Sequence, residues 1–239
     1  TTNPYLGYTQ SLMSRIFFNK GQIDSAIYYA KESYQYLPIP PSFVNYVNLL
    51  ITQKDSVEIN RIFSKDSIKH NPLVWKSYII ANNLLKKPGD SNNLRVINRA
   101  VDLFPSDKDF TSFRKESILG KEKVSLALMI SKQGAVYFQE KDFTKAIEKY
   151  LEASTLDPLE YSYLENIAAA HFYSKRFEEA IPYLDKVIND LNPETGKSEY
   201  IKALSLINLN RKIDACDYLQ KAKSFGYPKV NILLKKYCE

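Results

Sequence analysis

Proline and alanine recur along this chain at an almost fixed interval. Pro38 and Pro72 lie 34 residues apart, and Pro72 and Pro105 lie 33 apart. Ala146 and Ala180 are separated by 34 residues, and Ala180 and Ala215 by 35. A period of this length belongs to stacked supersecondary units, none of which can bury its apolar face alone. Each alanine opens a similar phrase: Asp142-Phe143-Thr144-Lys145-Ala146, Arg176-Phe177-Glu178-Glu179-Ala180 and Lys212-Ile213-Asp214-Ala215. Four residues after each stands a bulky side chain: Tyr150, Leu184 or Leu219. Asp24-Ser25-Ala26-Ile27-Tyr28-Tyr29-Ala30, behind Gly21, has the same form.

The units are helical. Phe143, Ala146, Ile147, Tyr150, Leu151 and Ser154 fall at spacings of 3, 1, 3, 1 and 3, one face of an α-helix. Strand-like alternation is not sustained anywhere. Breakers such as Asn19-Lys20-Gly21, Pro38-Ile39-Pro40-Pro41, Lys87-Pro88-Gly89-Asp90 and Gly226-Tyr227-Pro228 separate helices of about 10–18 residues. With 7 Gly and 11 Pro in 239 residues, the chain is neither collagen-like nor a turn-rich β protein. Hydrophobic residues at 44% and charged residues at 25% exclude a disordered chain. Tyr outnumbers Phe, 18 to 12, which suits half-buried positions with the ring packed and the hydroxyl wet.

Within residues 127–160, Gly134, Tyr137, Ala146, Tyr150, Ala153 and Pro158 stand at the spacings G-x2-Y, A-x3-F and a closing P. This segment resembles a tetratricopeptide repeat (TPR). Residues 161–194 repeat the pattern with Ala168, His171, Ala180, Leu184 and Val187, and residues 196–228 with Ala203, Leu206, Ala215, Leu219 and Ala222. Residues 7–105 carry three degenerate units, in which Phe17, Gly21, Ala26 and Pro38 are clearest. The family's Trp is missing from every unit. Residues 41–74 lack its alanines, so irregular packing is expected there.

The fold expected is therefore all-α: a right-handed superhelical solenoid of antiparallel helix pairs. Residues 4–105 form an N-terminal array of three pairs. Residues 106–121 form a connecting helix, where the array is expected to change direction. Residues 122–239 form three more pairs and a capping helix at Lys229–Tyr237, with Val230, Leu233, Leu234 and Tyr237 on one face. Pro182 falls inside a helix and is expected to kink it. The chain begins without Met, and a leader or neighbouring domain is expected upstream.

In the family, one face of each first helix lines a concave groove. The resemblance places Arg15, Phe18, Asn45, Trp75, Tyr78, Asn82, Phe138, Glu165, Phe172, Tyr173 and Tyr200 there. Aromatic rings beside Asn and Arg imply a groove for an extended peptide or a partner helix, and so a non-catalytic interaction scaffold. Ser131, Ala135 and Glu165 stand where members that grip a chaperone-tail carboxylate carry Lys and Asn, which argues against that role.

No catalytic chemistry is legible. His70 and His171 lie about three repeats apart, and no HExxH, GxSxG, Walker loop or GxGxxG occurs. Carboxylates are interspersed with lysines, as on a solvated face. No cofactor or metal is expected. The net charge of +6 is too mild to demand nucleic acid, and the basic end around Lys221, Lys223, Lys235 and Lys236 reads as a solvated cap. Cys216 and Cys238 are each 11 residues from Tyr227 at the last turn, which puts them level on an antiparallel hairpin. Two readings stand: a disulfide clamping the cap, or two small thiols. The Lys-Tyr-Cys ending resembles some bacterial envelope TPR proteins and tilts localisation towards the periplasm or cell envelope. An accessory module of a larger envelope protein is the alternative function.

Overall fold

The structure is a computed structural model that describes residues 3–64 and 70–238. Among the described residues it contains helices and no strands. Two compact units divide the chain, Thr1–Lys121 and Glu122–Glu239.

The first unit holds α1 (Pro4–Asn19), α2 (Ile23–Tyr36), α3 (Pro40–Thr52), α4 (Ser56–Phe63), α5 (Pro72–Leu85), α6 (Ser91–Leu103) and α7 (Lys108–Leu119). The second holds α8 (Lys121–Gln139), α9 (Phe143–Leu156), α10 (Tyr161–Tyr173), α11 (Phe177–Lys186), α12 (Lys197–Asn208), α13 (Lys212–Ser224) and α14 (Val230–Tyr237). Six hairpins result: α1/α2, α3/α4, α5/α6, α8/α9, α10/α11 and α12/α13.

Starts are set by short polar side chains and proline. Asn3, Asp55, Asn71, Asp90, Asp107 and Asp142 each accept a hydrogen bond from a backbone N–H in the first turn of the next helix. Pro4, Pro40 and Pro72 occupy the first helical positions, where the missing N–H costs no ladder bond.

The turn inside a hairpin is built the same way five times. Gly21, Lys54, Lys141, Lys175 and Asn210 all adopt left-handed backbone, at φ from 55° to 72°. The next residue donates its N–H to a carbonyl five back: Gln22 to Phe17, Asp55 to Leu50, Asp142 to Tyr137, Arg176 to His171 and Arg211 to Leu206, at 2.8–3.1 Å. These are Schellman closures, which satisfy the last carbonyls and fold the second helix back on the first.

Small residues then let the helices touch. Ser14, Ala81, Gly134, Ala168 and Ala203 are buried, and 12 residues after each stands another buried residue: Ala26, Asn93, Ala146, Ala180 or Ala215. A Cβ on Gly134 would lie 2.9 Å from the Tyr150 ring, so glycine is required there. The α3/α4 hairpin has Val47 and Ile59 at this contact, with Ile62 one turn on, in a wider, all-aliphatic seam.

The expected connecting helix, α7, is an integral layer of the first unit. Phe110 is fully buried with Trp75, Ile79, Ile97 and Ala100. Asn93 Nδ2 donates to Asn83 Oδ1 at 2.7 Å and to Ser117 Oγ at 2.9 Å, and the Gly89 N–H donates to the Ser117 carbonyl at 2.7 Å. In the second unit α11 runs through Pro182 and ends in a π-helical turn, Val187–Leu191, closed by left-handed Asn192. The capping helix is present: α14 packs on α13 with Val230 buried and Leu233 and Leu234 half-buried.

Candidate partner-binding groove

The first helices of neighbouring hairpins, α1 and α3, leave a cleft of about 310 Å³ between them. Ser14, Arg15, Phe18 and Asn19 line it from α1, and Asn45, Asn48, Leu49 and Thr52 from α3. The helical repeat explains the grouping, because residues three or four apart share a face. Ser14 Oγ donates to the Ala26 carbonyl at 2.9 Å and receives Asn45 Nδ2 at 3.3 Å, which fixes the cleft floor. Arg15 is exposed and makes no ion pair among the described residues, and no carboxylate lines the cleft. Phe18 presents an exposed ring beside the guanidinium. A cleft of one cation, three amides, a hydroxyl and a ring can hydrogen-bond a main chain, pair with an anion and seat an apolar side chain.

Three of the expected groove residues, Arg15, Phe18 and Asn45, meet in this cleft. Trp75, Tyr78 and Asn82 do not present an open face. Trp75 packs edge-on against Phe63 and Phe104, and Tyr78 stacks on Phe63 at 3.7 Å. The Tyr78 hydroxyl donates to Asn60 Oδ1, and burial pushes its pKa above the usual phenol value. Asn82 Nδ2 donates to the Tyr78 carbonyl at 3.1 Å. These residues are core because α6 and α7 close the side of α5 on which they stand. Alanine at Trp75 or Tyr78 therefore tests stability, not binding.

In the second unit the expected residues divide again. Tyr173 is 62% exposed and meets Phe138 edge-on at 5.6 Å; Phe138 in turn packs on Phe143 at 5.4 Å. Phe172 is half-buried against Phe177, and Tyr200 is half-buried against Tyr227 at 4.9 Å. Glu165 is buried: Oε1 accepts from Ser198 Oγ at 2.7 Å and Oε2 pairs with Lys197 Nζ at 2.9 Å. It ties α10 to α12 and is not a groove residue. Phe138, Phe172 and Tyr173 thus form an aromatic edge at the hairpin tips.

Sequence reasoning missed Asn48 and Ser14. The signal for Asn48 was its place three residues after Asn45 on the same helix. For Ser14 it was the distance of 12 residues to Ala26, shared with Gly134 and Ala146. His171 sits buried, stacked on Tyr183 at 5.6 Å, with Nδ1 unpaired. Burial, and secondarily Arg176, lower its pKa against a smaller opposing effect of Glu179. Cys216 and Cys238 are disulfide-bonded, with Cα atoms 5.7 Å apart, so the last helix is covalently held. Among the described residues no group of His, Cys, Asp and Glu could hold a metal ion. None of their helices is long and apolar enough to cross a membrane.

Helix hairpins of about 34 residues, closed by the same turn and joined through small residues, make this an all-α, TPR-like fold. No protein-family model matches the chain. It is similar to BBSome complex member BBS4 of Bos taurus, 20% identical over 201 residues, which cover 84% of this chain and 35% of that protein. It is also similar to Hsp70-Hsp90 organizing protein 3 of Arabidopsis thaliana, 39% identical over 62 residues, covering 26% of this chain and 11% of that protein. The chain thus spans about a third or less of these curated relatives. Among solved structures, the TPR2AB-domain–pHSP90 complex of yeast Sti1 covers 99% of this chain and 100% of the other at 19% identity, with a TM-score of 0.45.

Proposed function

We propose that this chain is a non-catalytic interaction scaffold that holds an extended peptide or partner segment along its first helices. The observation that carries the reading is the α1–α3 cleft, with unpaired Arg15 beside three side-chain amides and the exposed Phe18 ring. Amides match the alternating donors and acceptors of an extended main chain, and the ring supplies the apolar anchor on which interface energy concentrates. The aromatic edge of Phe138, Phe172 and Tyr173 is the corresponding surface of the second unit. The organizing protein to which the chain is partly similar is named for two chaperones, which agrees with a scaffold role and leaves the cargo here open.

A second reading makes the chain an accessory module of a larger bacterial envelope protein. The Cys216–Cys238 bond favours it, because structural disulfides persist in oxidising compartments. Both readings share the groove.

The test is cross-linking with mass spectrometry in the native host, followed by capture of the identified partner by the double variant Arg15→Glu/Asn45→Ala and, separately, by Phe172→Ala/Tyr173→Ala. At least one variant should lose most of the partner while keeping its helical circular dichroism. Undiminished capture by both would remove the groove from the account. A gel shift at low salt addresses nucleic acid: salt-sensitive binding of duplex DNA or RNA would contradict the proposal.

A further inference from the structure

A stacked helical array normally ends in polar caps, because each unit leaves an apolar face for a neighbour. In the second unit α14 covers α13. The first helix of the first unit has no such cover. Tyr5 is 86% exposed, Tyr8 62%, Leu12 57% and Ile16 37%, at spacings of 3, 4 and 4 residues. They form one stripe along the whole length of α1.

The chain itself shows what such a face is for. Leu12 and Ile16 correspond, by their distance from the small contact residue Ser14, to Asn45 and Leu49 on α3 and to Ile201 and Ser205 on α12. There the first of each pair is half-buried and the second buried, against the hairpin that precedes them. On α1 the same positions are larger, more apolar and open.

We propose that the α1 stripe is a self-association surface, on which a second copy of this chain docks its own α1 in antiparallel register about a two-fold axis. Charge favours the second copy. Arg15 is the one charged residue in α1 and turns into the cleft, so two stripes meet without like charges. Antiparallel register sets Tyr5 of one copy over Ile16 of the other and brings the two Leu12 side chains towards the centre. The contact is small, about 400 Å² a side from two tyrosines and two aliphatic residues, below the standard interface size. It therefore makes a weak, reversible dimer with a dissociation constant in the micromolar range or above.

Sedimentation velocity from about 5 to 500 μM tests this. The expected result is a monomer that shifts towards dimer as concentration rises. Leu12→Arg should abolish the shift, because it places two cations together at the centre. Ile232→Arg, on the exposed side of α14, should leave it unchanged. Leu12 and Ile232 are both solvent-exposed, so neither change threatens folding. In a mixed isotope-labelled sample, contacts between Tyr5 of one copy and Ile16 of the other should appear. A chain monomeric throughout the range, or a dimer indifferent to Leu12→Arg, would overturn the proposal.

Discussion

The cap is held mainly by its covalent link, and breaking that link has a calculable consequence. Of the eight residues of α14, Val230 alone is buried; Leu233 and Leu234 are half-buried and Ile232 is exposed. Their transfer from water contributes about 4 kcal/mol. Ordering the helix costs about 1–2 kcal/mol per residue in backbone freedom, which its few internal hydrogen bonds barely offset. Docking without the bridge is thus close to balanced. The Cys216–Cys238 bond spans 22 residues, and closing a loop of that length contributes about 3 kcal/mol by chain entropy. That corresponds to a factor of about 150 in the opening equilibrium of the cap. Hydrogen exchange with mass-spectrometric readout should show residues 230–237 exchanging about a hundredfold faster in Cys238→Ser, or after reduction with a dithiol. Residues 40–52 should be unaffected. A change below fivefold in the cap would refute the reasoning, since apolar contacts alone would then be holding α14.

Gly134→Ala forces a Cβ against the Tyr150 ring and should destabilise the second unit by about 1–3 kcal/mol, measured by urea unfolding; an unchanged midpoint would mean that α8 and α9 are further apart than described. Trp75→Ala should cost about 3–5 kcal/mol in the first unit, read by the same method, and a neutral result would return Trp75 to the groove. Glycine at Lys141 or Lys175, where the backbone is already left-handed, should raise the melting temperature slightly, as Gly21 shows the turn permits. His171 has a lowered native pKa, so the unfolded chain binds its proton first as the pH falls. Its contribution is complete above the unfolded value of 6.5 and is lost as the pH drops through the native one. Stability measured from pH 7.5 to 5 should decline less steeply in His171→Phe than in the native chain.

The hairpins were legible because their contacts are local. Gly134 and Ala146 lie on consecutive helices, and a 12-residue spacing between small residues carries their meeting in the chain itself. The capping helix was legible for the same reason, through Val230, Leu233 and Leu234. What sequence reading could not tell is which side of a first helix a later element covers. Trp75 and Tyr78 look like groove residues until α6 and α7 close over them. Nothing local to α5 announces that Phe110, 35 residues after Trp75, packs there. Glu165 looks like a groove carboxylate until Lys197 and Ser198 arrive from the next hairpin. Arg15, Phe18 and Asn45 kept their place because α1 and α3 have no later helix across that face, and the left-handed lysines at 54, 141 and 175 escaped notice because lysine carries no turn signature.

The claim on which the account depends is that a partner segment lies in the α1–α3 cleft, and site-specific photo-crosslinking measures it directly. A photoreactive phenylalanine analogue at Thr52, on the cleft wall, should yield one dominant adduct on irradiation in native-host extract. The same analogue at Arg99, exposed on α6, should yield none. The adduct should vanish when Arg15→Glu is added. Adducts from Arg99 but not Thr52, or equal labelling from both, would contradict a bound segment between these helices.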